Sequence, residues 1–417
     1  MEFSIDWVPG GDNASAEERS TLCDLKVSVG GRNVSAFYDV ANREAFDAIT
    51  LPAVHLAGGI AGNWWRIFGG RDVTHHALHW RTGFALPDLR LEFDGSVLLA
   101  QCDPYESDNP QVLFMRGSTE YLPRRTAEAS LAALVDAVVD KLAGDGIGAS
   151  EVQLAWTRVQ ESRTNKAESA FCEAAGAFGV DPYAISVRDA AFIERTGNLF
   201  DGETVAEFLA GVRVASRDNR TKSGQTLDWV SSVRGQRSER WRLPELATVA
   251  KELHIKRRRG ERPWAWGHRA AQAMREKLAL PGTQPVSIKK LSTLLGNGNF
   301  ARKQGPQGLF AVVAQEAEVV HLHLRKHGAG HTEKFAFARA LGDVVCFPGT
   351  PLSAINNLHN AERQAVGRAF AAEFLAPVQM VLEMYGDGLD IDEIARQLDV
   401  NPMVVNHQVE NHAARVA

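Results

Sequence analysis

The chain has 417 residues, 45% of them hydrophobic, with 36 glycines, 16 prolines and 4 cysteines, enough to bury a sizeable core and to divide into roughly two to four domains. No run reaches the ~18 uncharged apolar residues of a membrane span, the first residues, MEFSIDWVPGGD, lack the start of a secretory signal, and Cys23, Cys102, Cys172 and Cys346 form no CxxC pair. These features exclude a membrane helix, a disulfide framework and a zinc ribbon; they predict a cytoplasmic protein with four buried, reduced thiols. The formal charge of -5 is unevenly spread: residues 213–303 hold 21 Lys and Arg against 7 Asp and Glu, a net +14, so the flanks are acidic and the basic centre suits a nucleic acid or the acidic parts of the same chain.

Residues 1–124 read as a mixed α/β domain. CDLKVSVGGRNVSAFYDV (23–40) alternates apolar and polar residues around Gly30-Gly31, and LRLEFDGSVLLAQC (89–102) does so around Asp94-Gly95, the pattern of two hairpins. Between them, LPAVHLAGGIAGNWWRIFGG (51–70) reads as a helix of small residues whose Trp64 and Trp65 anchor a core; stacking on bases is the second option. Its glycines match neither GxGxxG nor a GK[ST] loop, so no phosphate cradle is expected. Asp103, Glu106 and Asp108 in QCDPYESDNP read as an exposed loop. Residues 125–215 turn helical, with RTAEASLAALVDAVVDKLAG (125–144) and NKAESAFCEAAGAFGVDPYAIS (165–186), the latter broken at Asp181-Pro182. SRDNRTKSGQT (216–226) is polar and unpatterned, and predicts a linker or exposed loop.

Residues 216–285 form the basic stretch. In HIKRRRGERPWAWGHRAAQAMREKL (254–278), Lys256, Arg257, Arg258, Arg259 and Arg262 precede Trp264 and Trp266, and a helix resumes through Ala270, Met274 and Leu278. Cations beside aromatics suit a phosphate backbone with stacked bases, which would give a steep salt dependence. A solvated turn, or a dock for an acidic protein surface, fits the same residues.

Residues 286–417 begin with an amphipathic helix, VSIKKLSTLLGNG. Two strands, LFAVVAQ and AEVVHLHLRK, follow around a turn at 315–317. EKFAFARALGDVVCF (333–347) has Phe335, Ala338, Leu341, Gly342 and Val345 at helical spacing, leaving Arg339 and Asp343 one turn apart. ERQAVGRAFAAEFLAPVQMVL (362–382) is a closely packed helix ending near Pro377. In the tail, Asp390 with Glu393 forms a capping-box pattern and Asn401-Pro402 starts a last helix. Ile391, Ile394, Ala395, Leu398, Val400, Val405 and Val409 follow the spacing of a helix-turn-helix, yet NPMVVNHQVENH has no Lys or Arg before Arg415, so packing is the stronger reading.

This order of hairpin, helix, second helix and terminal helix pair, with FAFARALGD and RAFAAEFLAP as its most specific pieces, resembles the ImmA/IrrE family of bacterial zinc metallopeptidases over roughly the last 130 residues. Members typically carry HELGH in the first piece, two histidines binding zinc and the glutamate activating its water, with a glutamate on the second helix completing the site. Here Leu341 and Gly342 match the LG, but Arg339 and Asp343 replace the two histidines, Ala340 replaces the glutamate, and Gln364 takes the third-ligand position with Glu362 close by. The resemblance therefore implies a pseudopeptidase with no catalytic residue and no cofactor, and Arg339 is expected to bridge to Asp343 across the vacated site.

His321, His323, His327 and His331 offer an alternative zinc set. His321 and His323 share a strand face that Asp343 or Glu362 would have to approach, and HGAGH favours a loop over a ligand-bearing helix. No GxSxG elbow and no cysteine with a histidine partner in a motif are present.

The expectation is an α+β, multi-domain chain: an N-terminal mixed α/β region, a helical middle and a C-terminal domain of small sheet plus helices, zincin-like. It would bind a protein partner, or nucleic acid through 213–303, without a membrane. The resemblance implies a bacterial regulatory, mobile-element, toxin-antitoxin or phage-defence setting. The alternatives are a zinc metallo-endopeptidase with displaced ligands that cleaves a repressor or antitoxin, and a DNA-binding transcriptional regulator.

Overall fold

The computed structural model describes residues 1–11, 14–80, 83–108, 111–216, 220–236, 238–280, 285–316 and 318–412. It is a multi-domain α+β chain that divides into two compact units, Met1–Ala190 and Ala191–Ala417. The helical stretch expected at 125–215 is thus shared between them.

Unit 1 opens with β1 (Glu2–Trp7), α1 (Ala16–Ser20), β2 (Leu22–Val29), β3 (Arg32–Asn33), β4 (Phe37–Asp39), β5 (Glu44–Phe46) and β6 (Ile49–Pro52). After α2 (Ala53–Gly69) come β7 (Thr74–His76), β8 (Asp88–Phe93), β9 (Val97–Asp103), β10 (Tyr105–Asp108), β11 (Gln111–Phe114) and β12 (Ser118–Pro123). Three helices finish it: α3 (Arg124–Gly144), α4 (Glu151–Thr164) and α5 (Lys166–Phe178). The strands make three small sheets, β1-β2-β3 with β6 on β2, β10-β11-β4-β5, and β12-β9-β8-β7.

Both expected hairpins form. β2 turns into β3 through Gly30 and Gly31 at φ 57° and 75°, values that favour glycine, and β8 pairs antiparallel with β9 across Asp94-Gly95. Asp103 and Glu106 are not on a loop. They lie in β9 and β10, where Asp103 pairs with Arg90 and the pairing of β10 with β11 stacks Tyr105 on Phe114. Trp64 and Trp65 are core residues: Trp64 meets Phe68 and Trp156 at ring distances of 4.9 and 5.0 Å, and Trp65 Nε1 donates to Tyr183 Oη at 2.8 Å. α2 crosses α5 so closely that a Cβ on Gly176 would lie 1.9 Å from the Trp65 carbonyl oxygen.

In the second unit, α6 (Val187–Gly197), which starts in the first, leads to α7 (Glu203–Ser216) and α8 (Arg220–Arg234). Residues 220–226, read as linker, therefore begin a helix; 217–219 lie outside the described residues. Small Ser223 and Thr226 extend the buried stripe of Leu227, Val230 and Val233, and the Thr226 hydroxyl satisfies itself on the Lys222 carbonyl at 2.9 Å.

Then follow β13 (Arg242–Leu243), α9 (Pro244–Leu253), α10 (Pro263–Lys277), α11 (Ile288–Leu294), β14 (Arg302–Lys303), β15 (Leu309–Glu316) and β16 (Val319–Arg325). The chain closes with α12 (Gly330–Cys346), β17 (Leu352–Asn356), α13 (Glu362–Leu375), α14 (Val378–Gly386), α15 (Ile391–Leu398) and α16 (Pro402–His412). The sheet runs β13-β16-β15-β17, with β14 parallel on β16; of the turn expected at 315–317, Gln315 and Glu316 instead continue β15, and residue 317 lies outside the described residues.

α12 is buried along most of its length between this sheet and α13. Close contact needs glycine here as well: a Cβ on Gly342 would lie 2.5 Å from the Phe370 ring, and one on Gly267 of α10 would lie 2.4 Å from the Val366 carbonyl oxygen of α13. α15 has the expected capping box, and the Asn401 side chain accepts from Met403 N at 2.9 Å at the start of α16. Val405 and Val409 are buried, and Gln408 Nε2 donates to the Ala376 carbonyl at 2.9 Å, so this last helix is fastened to the end of α13. Arg415 lies outside the described residues.

Candidate functional site

Arg339 projects from the middle of α12 and is 4% exposed. Its Nη2 donates to Gln364 Oε1 on α13 and to the Asn356 carbonyl at the end of β17, both at 2.8 Å, while its Nε has no acceptor. Gln364 passes the contact on, donating from Nε2 to Glu207 Oε2 of α7 at 3.2 Å and to the Ala354 carbonyl at 3.0 Å. The guanidinium lies over the Phe310 ring at 5.6 Å. Burial, helped by the like charge of Arg368, pushes its pKa down to about 9 against the opposing pull of Asp343 and Glu207.

The expected Arg339–Asp343 bridge does not form. Asp343, 1% exposed, accepts from Arg363 Nη1 of α13 at 2.8 Å and from Ser353 Oγ of β17 at 2.5 Å. Arg363 is held in turn over the Phe347 ring at 4.2 Å and donates to Thr350 Oγ1 at 2.7 Å. One turn of α12 separates two polar clusters, each closed by a different residue of α13, so neighbours on the helix face do not pair. Ala340 lies in the apolar core.

The histidine quartet does not converge. Ser353, which bonds Asp343, stands opposite Val313, and Val313 stands opposite Leu322, so these residues face α12. His321 and His323 have the other parity of β16 and face away from Asp343, His323 against Trp241 at 4.9 Å. His327 stacks on Phe310 at 5.1 Å, and His331, inside the first turn of α12, points its Nδ1 to the Asp399 carbonyl at 3.2 Å. Glu362 is taken up by Arg257. Among the described residues, no group of three or more His, Cys, Asp or Glu side chains comes together as a metal site. The cysteines are free and buried; burial raises the Cys23 and Cys102 thiols to about 12 and Cys172 to about 11.

The basic segment is only partly a free surface. Arg257 is ion-paired to Glu362 and donates from Nε to the Glu261 carbonyl at 2.9 Å. Glu261 caps the turn by accepting from Arg258 N at 2.8 Å; its bonds from Arg269 hold its carboxyl below the usual range. Lys256, Arg258, Arg259 and Arg262 are exposed. Trp266 is buried against Phe347 at 4.9 Å, whereas Trp264 is 46% exposed.

Trp264 stands on the wall of a cleft of about 710 Å³ in unit 2, which Arg339 also lines. Among the described residues its other charged lining residues are Lys334 and Arg368, with His268, His331, His359 and His407 around them and no Asp or Glu. Helical spacing brought out Arg339 and Asp343, and the family resemblance pointed to Gln364. The spacing gave no signal for Glu207, Asn356, Ser353 and Arg363, which complete the two clusters from α7, β17 and α13, because long-range partners leave no periodic trace. No protein-family model, curated protein or solved structure matches this chain.

Proposed function

We propose that residues 286–417 are an ImmA/IrrE-like domain whose zinc site is replaced by a buried polar network, and that the chain works by binding a partner, not by hydrolysis. The observation that carries this reading is how the four site positions are used. A guanidinium has no lone pair for zinc, Ala340 has no carboxylate to activate water, Gln364 Oε1 already accepts from Arg339 and Asn356, and Asp343 is held by Arg363 and Ser353. A further support is β17, the last strand of the sheet, which is buried throughout and packed against α7, with Gly211 directly on Asn356. The backbone groups of Ala354 and Asn356 in this strand are taken by Gln364 and Arg339, so a peptide substrate adding a strand there would have to break those bonds. A regulatory or phage-defence setting in a bacterium follows from the resemblance alone.

The test is hydrolysis of casein by the full chain with equimolar zinc chloride. The reading predicts no cleavage above the blank and no change in melting temperature on adding zinc or EDTA; cleavage abolished by a chelator would overturn it.

A second reading, nucleic-acid binding, is favoured by one observation: Lys256, Arg258, Arg259 and Arg262 are exposed together beside the half-exposed Trp264. Replacing Lys256, Arg258 and Arg259 with alanine spares the Arg257–Glu362 pair. On this reading the triple variant binds a DNA duplex more weakly and with a shallower salt slope; unchanged binding removes the reading.

A further inference from the structure

The cleft in unit 2 has walls of one character and a floor of another. Phe335, Leu375, Met403 and Val404 supply apolar surface, while Arg339 reaches it from beneath. Arg339 is 96% buried, is fixed through Nη2 by Gln364 and Asn356, and keeps an Nε with no acceptor. A buried cation with an unspent donor is costly, and an anion placed against it recovers a charge-assisted hydrogen bond in a low-dielectric site. The fixed side of the guanidinium means that little ordering remains when a ligand arrives.

We infer that this cleft binds a small amphipathic carboxylic acid, its carboxylate on Arg339 and its apolar body along Phe335, Leu375, Met403 and Val404. The inference stands on the chemistry of the cleft and not on the peptidase resemblance. The volume is within the usual range of small-molecule sites, roughly 300–1,000 Å³.

A singly charged ligand fits better than a nucleotide. Lys334 is already bonded to the Asp399 carboxylate at 2.7 Å, and Arg368 donates to the carbonyls of Leu358 and His359, which leaves Arg339 as the deep donor in a mainly apolar pocket. A phosphate ester of two charges would need several such donors to replace its water. Among the described residues no Asp or Glu lines the cleft, and the carboxylates that touch its lining residues, Asp399 and Glu373, are already engaged by Lys334 and by Gln272 and Gln408, which limits the repulsion an acid would meet.

The experiment is calorimetric titration of the full chain with octanoate, with 1-octanol as the neutral probe of the same length and AMP as the phosphate probe. Octanoate should bind at least about tenfold more tightly than octanol, the value of one charge-assisted hydrogen bond. Arg339→Met should erase that preference. Phe335→Glu, which puts a carboxylate in the wall without touching the network, should abolish octanoate binding and retain the circular dichroism of the parent, so the test survives if the arginine variant fails to fold. Equal affinity for octanoate and octanol, octanoate binding unaffected by Phe335→Glu, or AMP binding more tightly than octanoate would each overturn the inference.

Discussion

Among the described residues unit 1 buries one charged side chain, Arg71, whereas unit 2 buries Glu207, Arg275, Glu333, Lys334, Arg339, Asp343 and Glu373. Arg71 lies just beyond α2 and donates to the carbonyls of Phe68, Gly69 and Gly70, the ordinary use of a cation at a helix C-terminus. The charges of unit 2 are instead held by partners from other elements: Arg339 and Glu207 share Gln364, Asp343 is held by Arg363 and Ser353, Glu333 by Arg302, Lys334 by Asp399 and Arg275 by the Phe374 carbonyl. Both units use the same device for close helix packing, a glycine under a facing carbonyl, so the difference lies in what the cores contain and not in how their helices meet. Buried charge costs stability unless it is paired, so unit 2 should be the more sensitive of the two to the loss of a single polar partner.

The strongest way to break this comparison is to remove one partner of a buried pair. Arg363→Ala leaves Asp343 buried with only Ser353, and urea denaturation should show a loss of about 3–5 kcal/mol. Asp343→Asn, which removes the charge and keeps the shape, should cost clearly less; equal losses would mean that packing, not charge, governs the site.

A smaller effect tests what the units share. Gly176→Ala in unit 1 and Gly267→Ala in unit 2 should each cost about 1–3 kcal/mol, because each new methyl meets a backbone carbonyl that can move only with its helix. A neutral result at either position would show that the crossing is looser than its geometry.

The smallest effect is confined to unit 1 and to acid. Glu18 accepts from Ser15 N and contacts His55 Nε2, and these bonds lower its pKa from 4.5 to about 2. A carboxylate with a depressed folded pKa contributes stability that is complete above its unfolded value and fades as pH falls from 4.5 towards 2. Glu18→Gln should therefore lower stability at pH 7 and flatten that part of the acid profile in denaturation series.

Much of the fold was legible because it rests on local chemistry. Gly30-Gly31 and Asp94-Gly95 demand turns, and the stripe of α3 ends at Gly144 as the sequence predicts. The capping pair Asp390 and Glu393 closes as its spacing requires. The failures are equally physical. Ser223 and Thr226 are polar by composition but small enough to be buried in a helix, so residues 220–226, the start of α8, have the composition of a linker. Arg339 and Asp343 were correctly placed on one helix and wrongly paired, because their partners Gln364, Asn356, Arg363 and Ser353 come from other elements. Arg257 belongs by sequence to the same basic run as the exposed cations beside it, although Glu362, more than a hundred residues away, holds it.

The central claim is that the position of a zinc site is filled by a hydrogen-bonded Arg339–Gln364 pair and a separately paired Asp343. It is tested most directly by the zinc content, from elemental analysis, of the full chain purified without a histidine tag or chelator. The account predicts less than about a tenth of an equivalent. Near one equivalent, lost together with thermal stability in EDTA, would contradict it and return attention to His321, His323, His327 and His331.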